Sequence, residues 1–130
     1  MVRVIMHGCN GRMGQVITEM IAKEAEMEIV AGVDVSDSVH NTYPVFKTLK
    51  DCDVEADVVI DFANAKAVDG LLDVCVERNL PCVLCTTGLS EEQLAHVKEA
   101  SGKVAILRSA NMSMGINLLM KLLKDAVPVL

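Results

Sequence analysis

The chain is 130 residues long, 52% apolar, with a formal net charge of −6 and only one Tyr and two Phe as aromatic residues. That length supplies a single domain with its own core. An acidic chain with so few stacking rings does not suit nucleic acid, and no run reaches the roughly 18 apolar residues of a membrane span.

An apolar run at 2–6 reads as a buried strand. It breaks into Gly8, Gly11 and Gly14, after which Met13, Val16, Ile17, Met20 and Ile21 recur at helical spacing to about Ala25. Strand, glycine turn and helix together hold a dinucleotide pyrophosphate, because backbone N–H groups approach the phosphates and the helix N-terminus adds partial positive charge. The spacing is G-x-x-G-x-x-G, with Asn10 where the usual fingerprint has its second glycine. Three glycines near a helix start are also ordinary turn and cap residues, so the rest of the chain has to decide.

Residues 28–33 read as a second strand, apolar enough for a sheet covered on both faces. A polar loop at 36–44, a short strand at Val45 and Phe46 and a helical turn at 48–52 follow. Residues 57–62 (DVVIDF) form a strand, and a helix from about Asn64 to Arg78 carries Val68, Leu71, Leu72 and Cys75, stopped by Asn79 and Pro81. Residues 81–85 make the next strand. Ser90 and Gln93 read as a capping box opening a helix to Ala100. A strand at 103–107 and a last helix at about 114–127 complete the chain. Strand and helix alternate throughout, which predicts an α/β fold, a Rossmann-like doubly wound parallel sheet.

In such a sheet ligands bind beyond the C-terminal strand ends. The segments there are 8–13, Asp34, 61–63, 85–88 and 109–112. Asp34 follows Gly14 by twenty positions, where a carboxylate accepts both hydroxyls of the adenosine ribose, unless it is simply a solvated loop residue. Val35, Ser36 and Asp37 come next in place of a basic residue. That favours NADH, with NADPH left open because Arg12 could reach a 2′-phosphate. Thr86-Thr87-Gly88 offers two hydroxyls, or is a plain turn. The segment 109–112 is a small-residue bend or a simple loop.

Other features are read as structural. No charged-then-apolar leader precedes the first strand, so a cytoplasmic location is expected. The odd set Cys9, Cys52, Cys75, Cys82 and Cys85 does not suggest a disulfide framework. Cys82 and Cys85 lie in a strand, where residues three apart point to opposite faces, and are read as buried free thiols. His7, His40 and His96 have no acid/base partner legible in the sequence, and no metal site is expected.

With these residues in place the chain resembles the N-terminal part of the dihydrodipicolinate reductase family. Gly8-Cys9-Asn10-Gly11-Arg12-Met13-Gly14 is similar to that family's glycine turn, and Val59-Ile60-Asp61-Phe62 to its strand and nicotinamide-side loop. Thr86-Thr87-Gly88 is similar to its Thr-Thr-Gly, and the run from Ser109 to Asn117 to its hinge. Four residues depart from the pattern: Asn10 and Cys85 stand at usual glycines, Ala63 at a frequent Thr and Met112 at a usual Phe.

The resemblance implies a nucleotide-binding domain at 1–110 and, at 111–130, a hinge and first helix leading to a substrate and oligomerisation domain. It implies cofactor contacts from Gly8, Cys9, Asn10, Gly11, Arg12, Met13, Asp34, Asp61, Phe62, Ala63, Cys85, Thr86, Thr87, Ser109, Ala110, Asn111 and Met112, with Thr87 also touching substrate. The family's proton-donating His and substrate-binding Lys are expected beyond Leu130, so a piece of a longer enzyme, itself inactive, is expected. The implied substrate is a cyclic dicarboxylate and the implied full-length assembly a homotetramer. The last helix is apolar on more than one face, in keeping with a missing partner surface. A non-catalytic nucleotide-sensing module and another small NAD(P)-dependent dehydrogenase stay as alternatives.

Overall fold

In a computed structural model of the chain, the described residues are 2–36 and 39–108. The expected segment 109–112 and the last helix at 114–127 lie outside them. Six strands, β1 (Val2–His7), β2 (Met27–Val33), β3 (Val45–Phe46), β4 (Val58–Asp61), β5 (Cys82–Leu84) and β6 (Ile106–Arg108), form one sheet in the order β3-β2-β1-β4-β5-β6. Every pairing is parallel. The order reverses between β1 and β4, so the switch-point crevice lies at their C-terminal ends.

Helix α1 (Arg12–Ala22) covers one face of the sheet, while α2 (Val68–Arg78) and α3 (Glu91–Ser101) cover the other. Ile17 and Ile21 pack on Val4, Met6, Val58 and Ile60; Leu71, Leu72 and Cys75 pack with Ile5, Val59 and Leu84. Cys82 and Cys85 fall in these two different cores, as their spacing requires, and all five thiols are free and buried. The Ser90–Gln93 capping box is present, with both reciprocal bonds.

Several boundaries differ from the sequence reading. Helix α1 stops at Ala22 rather than near Ala25, and Val16 is 39% exposed. Its inward row is instead Gly14, Ile17 and Ile21, because Gly14 is pressed on the glycine turn. The helix expected from Asn64 begins as a 3₁₀ turn, Ala65–Ala67, with the Asn64 side chain accepting from the Lys66 amide. Strand β6 starts at Ile106 rather than Lys103, since the amides of Lys103 and Val104 both bond the Ala100 carbonyl and belong to the end of α3.

Strand β2 is not regular. Val4 pairs with Ile29 but Ile5 with Ala31, leaving Val30 as an extra residue. Met27 and Ile29 therefore face α1, whereas Val30, Ala31 and Val33 face α2. The shift turns Gly32 under the glycine turn, where an added Cβ would lie 2.6 Å from both Cys9 Sγ and Tyr43 Cε1.

Candidate functional site

The glycine turn is built around close main-chain approaches. Gly8 has φ +86°, a conformation that side chains resist, and a Cβ on it would sit 2.6 Å from the Phe62 carbonyl oxygen. A Cβ on Gly14 would lie 2.1 Å from the Gly8 carbonyl oxygen. These two glycines let β1, β4 and α1 converge on one point.

Most amides of the turn are already engaged. Gly8 and Cys9 donate to the Val33 carbonyl at 2.7 and 3.3 Å, and Gly11 donates to Gly8 at 3.2 Å. Asn10 donates to Asp34 Oδ2 at 2.9 Å. The start of α1 is different: its cap, Gly11, has no side chain to offer, and no acidic residue stands in the first turn. The first-turn amides, beginning with Arg12 and Met13, are thus the donors left for an anion, reinforced by the helix dipole. The side chain of Cys9 is buried and its thiol is pushed up to about 11, chiefly by desolvation, so only its backbone belongs to the turn.

Asn10, the departure from glycine, ties the turn to the loop after β2. Its amide side chain donates to the Ser36 carbonyl, accepts from Asn41 Nδ2 at 2.7 Å, and its carbonyl accepts from Gln15 at 3.0 Å. Asp34 closes this connection, its Oδ1 accepting from the Ser36 amide at 3.0 Å. Each Asp34 oxygen keeps a second lone pair for an incoming hydroxyl.

Asp61, Thr86 and His7 form a buried network that joins the ends of β4, β5 and β1. Asp61 is fully buried, and His7 and Thr86 are each 5% exposed. His7 Nδ1 lies 2.7 Å from Asp61 Oδ1, the Thr86 hydroxyl donates to Oδ2, and the Ala63 amide donates to Oδ1 at 3.2 Å. The Thr86 hydroxyl expected to face a ligand is therefore committed to Asp61, and the exposed hydroxyl of the pair is on Thr87. Cys85 is buried beside Ile60 and Val83, with its thiol pushed up to about 12 by desolvation. Ser109, Ala110, Asn111 and Met112 lie outside the described residues.

A cleft of about 320 Å³ opens at the switch point. One wall carries Val33, Asp34, Val35 and Ser36, the other Phe62, Ala63, Asn64 and Ala67, with Gly8, Asn10 and Gly11 at the turn. His7 and Lys47 line it as well. The sequence names His7 without a partner, because that partner, Asp61, is 54 positions away, and it does not single out Lys47, which follows β3, not β2, where a phosphate reader was sought. Lys47 is exposed and has no ion-pair partner among the described residues. His96, with no partner legible in the sequence, sits between Asp69 at 2.6 Å and Asp73 at 3.0 Å of α2, away from this cleft. Among the described residues no group of three or more His, Cys, Asp or Glu is placed to hold a metal ion, and no helix is long and apolar enough to cross a membrane.

An uncapped helix start, a carboxylate across from it and an apolar-walled cleft fit a dinucleotide. The comparisons agree with this geometry. Residues 2–112 match the family described as "Dihydrodipicolinate reductase, N-terminus". The 4-hydroxy-tetrahydrodipicolinate reductase of Caldanaerobacter subterraneus subsp. tengcongensis is 48% identical over 130 residues, all of this chain and 51% of the relative. That of Clostridium tetani is 46% identical over 96% of this chain and 49% of its own. The chain thus spans about half the length of the curated relatives it matches.

Among solved structures, a dipicolinate-bound dihydrodipicolinate reductase from Paenisporosarcina sp. TG-14 superposes with a TM-score of 0.76 at 27% identity, over 97% of this chain and 53% of that one. The WlbA dehydrogenase of Bordetella pertussis, in complex with NADH and UDP-GlcNAcA, shares the fold at a TM-score of 0.71 and 15% identity, over 95% of this chain and 42% of that one. The chain belongs to the dihydrodipicolinate reductase family, as its N-terminal, nucleotide-binding part.

Proposed function

We propose that the chain holds NAD(P)H for a reductase that converts 4-hydroxy-tetrahydrodipicolinate to tetrahydrodipicolinate on the diaminopimelate route to lysine. The observation that carries this reading is the meeting of the uncapped α1 start, Asp34 and the Phe62–Ala63 strand end around one cleft. When bound, the cofactor supplies the hydride. The protein's part is to orient it: the first-turn amides of α1 hold the pyrophosphate, Asp34 the adenosine ribose, and residues 61–63, 85–87 and 109–112 the nicotinamide half. Thr87 also contacts the substrate, a small cyclic dicarboxylate. Residues 1–110 form the nucleotide domain and 111–130 a hinge and helix leading onward. The proton donor belongs to the longer protein, which works as a cytoplasmic homotetramer.

NADH is the favoured cofactor, because Asp34 accepts from free ribose hydroxyls and Val35 follows it. Lys47 at the same end of the cleft is the observation that favours NADPH as a second ligand. The test is a parallel titration of NADH and NADPH against the chain and its Asp34→Ala variant. Loss of charge-assisted hydrogen bonds should cost about 1.5–3 kcal/mol, roughly 10- to 100-fold in NADH affinity. Thermal melts of both proteins separate this from loosening of the Asn10 and Ser36 contacts. An unchanged dissociation constant would return Asp34 to a purely structural role, and a strong preference for NADPH would overturn the cofactor assignment.

A further inference from the structure

We infer that His7 touches the dinucleotide in the cleft, its Nε2 accepting a hydrogen bond from a hydroxyl or amine of the cofactor. This deepens the nucleotide-binding reading above and rests on it. The imidazole is 5% exposed, and its one hydrogen bond runs from Nδ1 to Asp61 at 2.7 Å. No buried side-chain nitrogen or oxygen among the described residues lacks a partner. Nε2, which has none, is therefore open, and the space it opens on is the cleft that His7 lines.

The direction of the bond follows from the other side of the ring. Asp61 already accepts from the Ala63 amide and the Thr86 hydroxyl, and as a carboxylate it is an acceptor toward Nδ1–H too. Nδ1 thus carries a proton toward Asp61, and the neutral tautomer that keeps it presents a lone pair at Nε2. Such a lone pair does not suit a pyrophosphate, whose oxygens only accept. It suits a hydroxyl or an amine. The cleft that His7 lines has Asp34, Val35 and Ser36 on one wall and Phe62, Ala63 and Asn64 on the other, and Thr87 does not line it. The donors that reach it are thus those of the dinucleotide rather than of the substrate placed at Thr87. Asp61 is a positioning residue here, fixing the tautomer of a histidine that itself touches the cofactor.

His7→Asn is the informative variant, because an Asn amide can keep the donor toward Asp61 while removing Nε2. It should weaken NADH binding about 3- to 10-fold, the worth of one neutral hydrogen bond. If the donor is the adenine amine, the variant should lose nothing further with deamino-NADH; if it is a ribose hydroxyl, the loss should persist. On the unsubstituted chain, ¹⁵N NMR should find His7 protonated at Nδ1, with its Nε2 resonance moving when NADH is added. Wild-type NADH affinity in His7→Asn, or an Nε2 resonance that stays still while Asp34 signals move with NADH, would overturn the role of His7. Should His7→Asn fail to fold, the NMR titration decides alone. Failure of the unsubstituted chain to bind NADH at all would instead overturn the nucleotide reading.

Discussion

Gly11 differs from its two neighbours in the glycine pattern. Gly8 and Gly14 are required by contact, since a Cβ at either would lie under 3 Å from main-chain atoms. Gly11 has φ −74° and ψ 171°, backbone open to any residue, and a Cβ there would be 3.4 Å from the Gly8 oxygen. Its requirement is electrostatic: a side-chain acceptor at this cap would take the amides that the anion needs. Gly11→Asp should therefore stabilise the ligand-free chain by about 0.5 kcal/mol, through the cap bond and the helix dipole. The same change should lower NADH affinity more than tenfold, by competition and by repulsion of the pyrophosphate. Equilibrium denaturation and a fluorescence titration on the same sample check both halves. The glycine spacing made the turn legible in the sequence, and Asp34 lies at the distance that the motif implies. The network of Asp61 was not legible, because which of two nearby hydroxyls it takes depends on how the β4 and β5 ends are aimed. Its pairing with His7 spans 54 positions, and no local rule connects them.

At the scale of elements, periodicity located every helix and strand among the described residues, while the ends moved for local reasons. Strand β2 shows the limit. Alternation along MEIVAGV reads either as a strand buried on both faces or as a bulged one, and only pairing with β1 distinguishes them. The α2–α3 contact was equally hidden, because Asp69 and Asp73 meet His96 across two helices. His96 is held above its ordinary value, first by the hydrogen bond to Asp69 and then by Asp73, against some desolvation. A raised imidazole pKa stabilises the fold fully below about 6.5, the unfolded value, and the contribution is lost as pH rises through the folded value. Asp69 is held low, chiefly by the same bond. Its share is present above the unfolded value of 3.8 and is lost as pH falls through the folded one. The difference in Tm between the chain and His96→Gln should thus be widest from about pH 4 to 6.5 and close on the alkaline side. Melts across pH 4 to 9 check it; a gap that widens with pH would show that the ring packs neutral.

The whole molecule is divided at the switch point: β2 and β3 lie to one side of β1, and β4, β5 and β6 to the other. Asp34 belongs to the first half and Phe62–Ala63 to the second, and the cleft uses both. A dinucleotide bound there joins the halves, and because the unfolded chain has no such cleft, binding must appear as stability. At a hundredfold excess over the dissociation constant, linkage adds about 2.7 kcal/mol. For a chain of this size one kcal/mol raises Tm by about 4 °C, so NADH should raise it by about 10 °C. The prediction is sharper when set beside Gly11→Asp. That variant should melt higher than the unsubstituted chain without NADH and lower with it at the same concentration, a crossing that neither a general stabilisation nor a general loss of folding produces. Parallel scanning-calorimetry traces with and without NADH would show it; two curves that keep their order would mean that the start of α1 does not hold the phosphates.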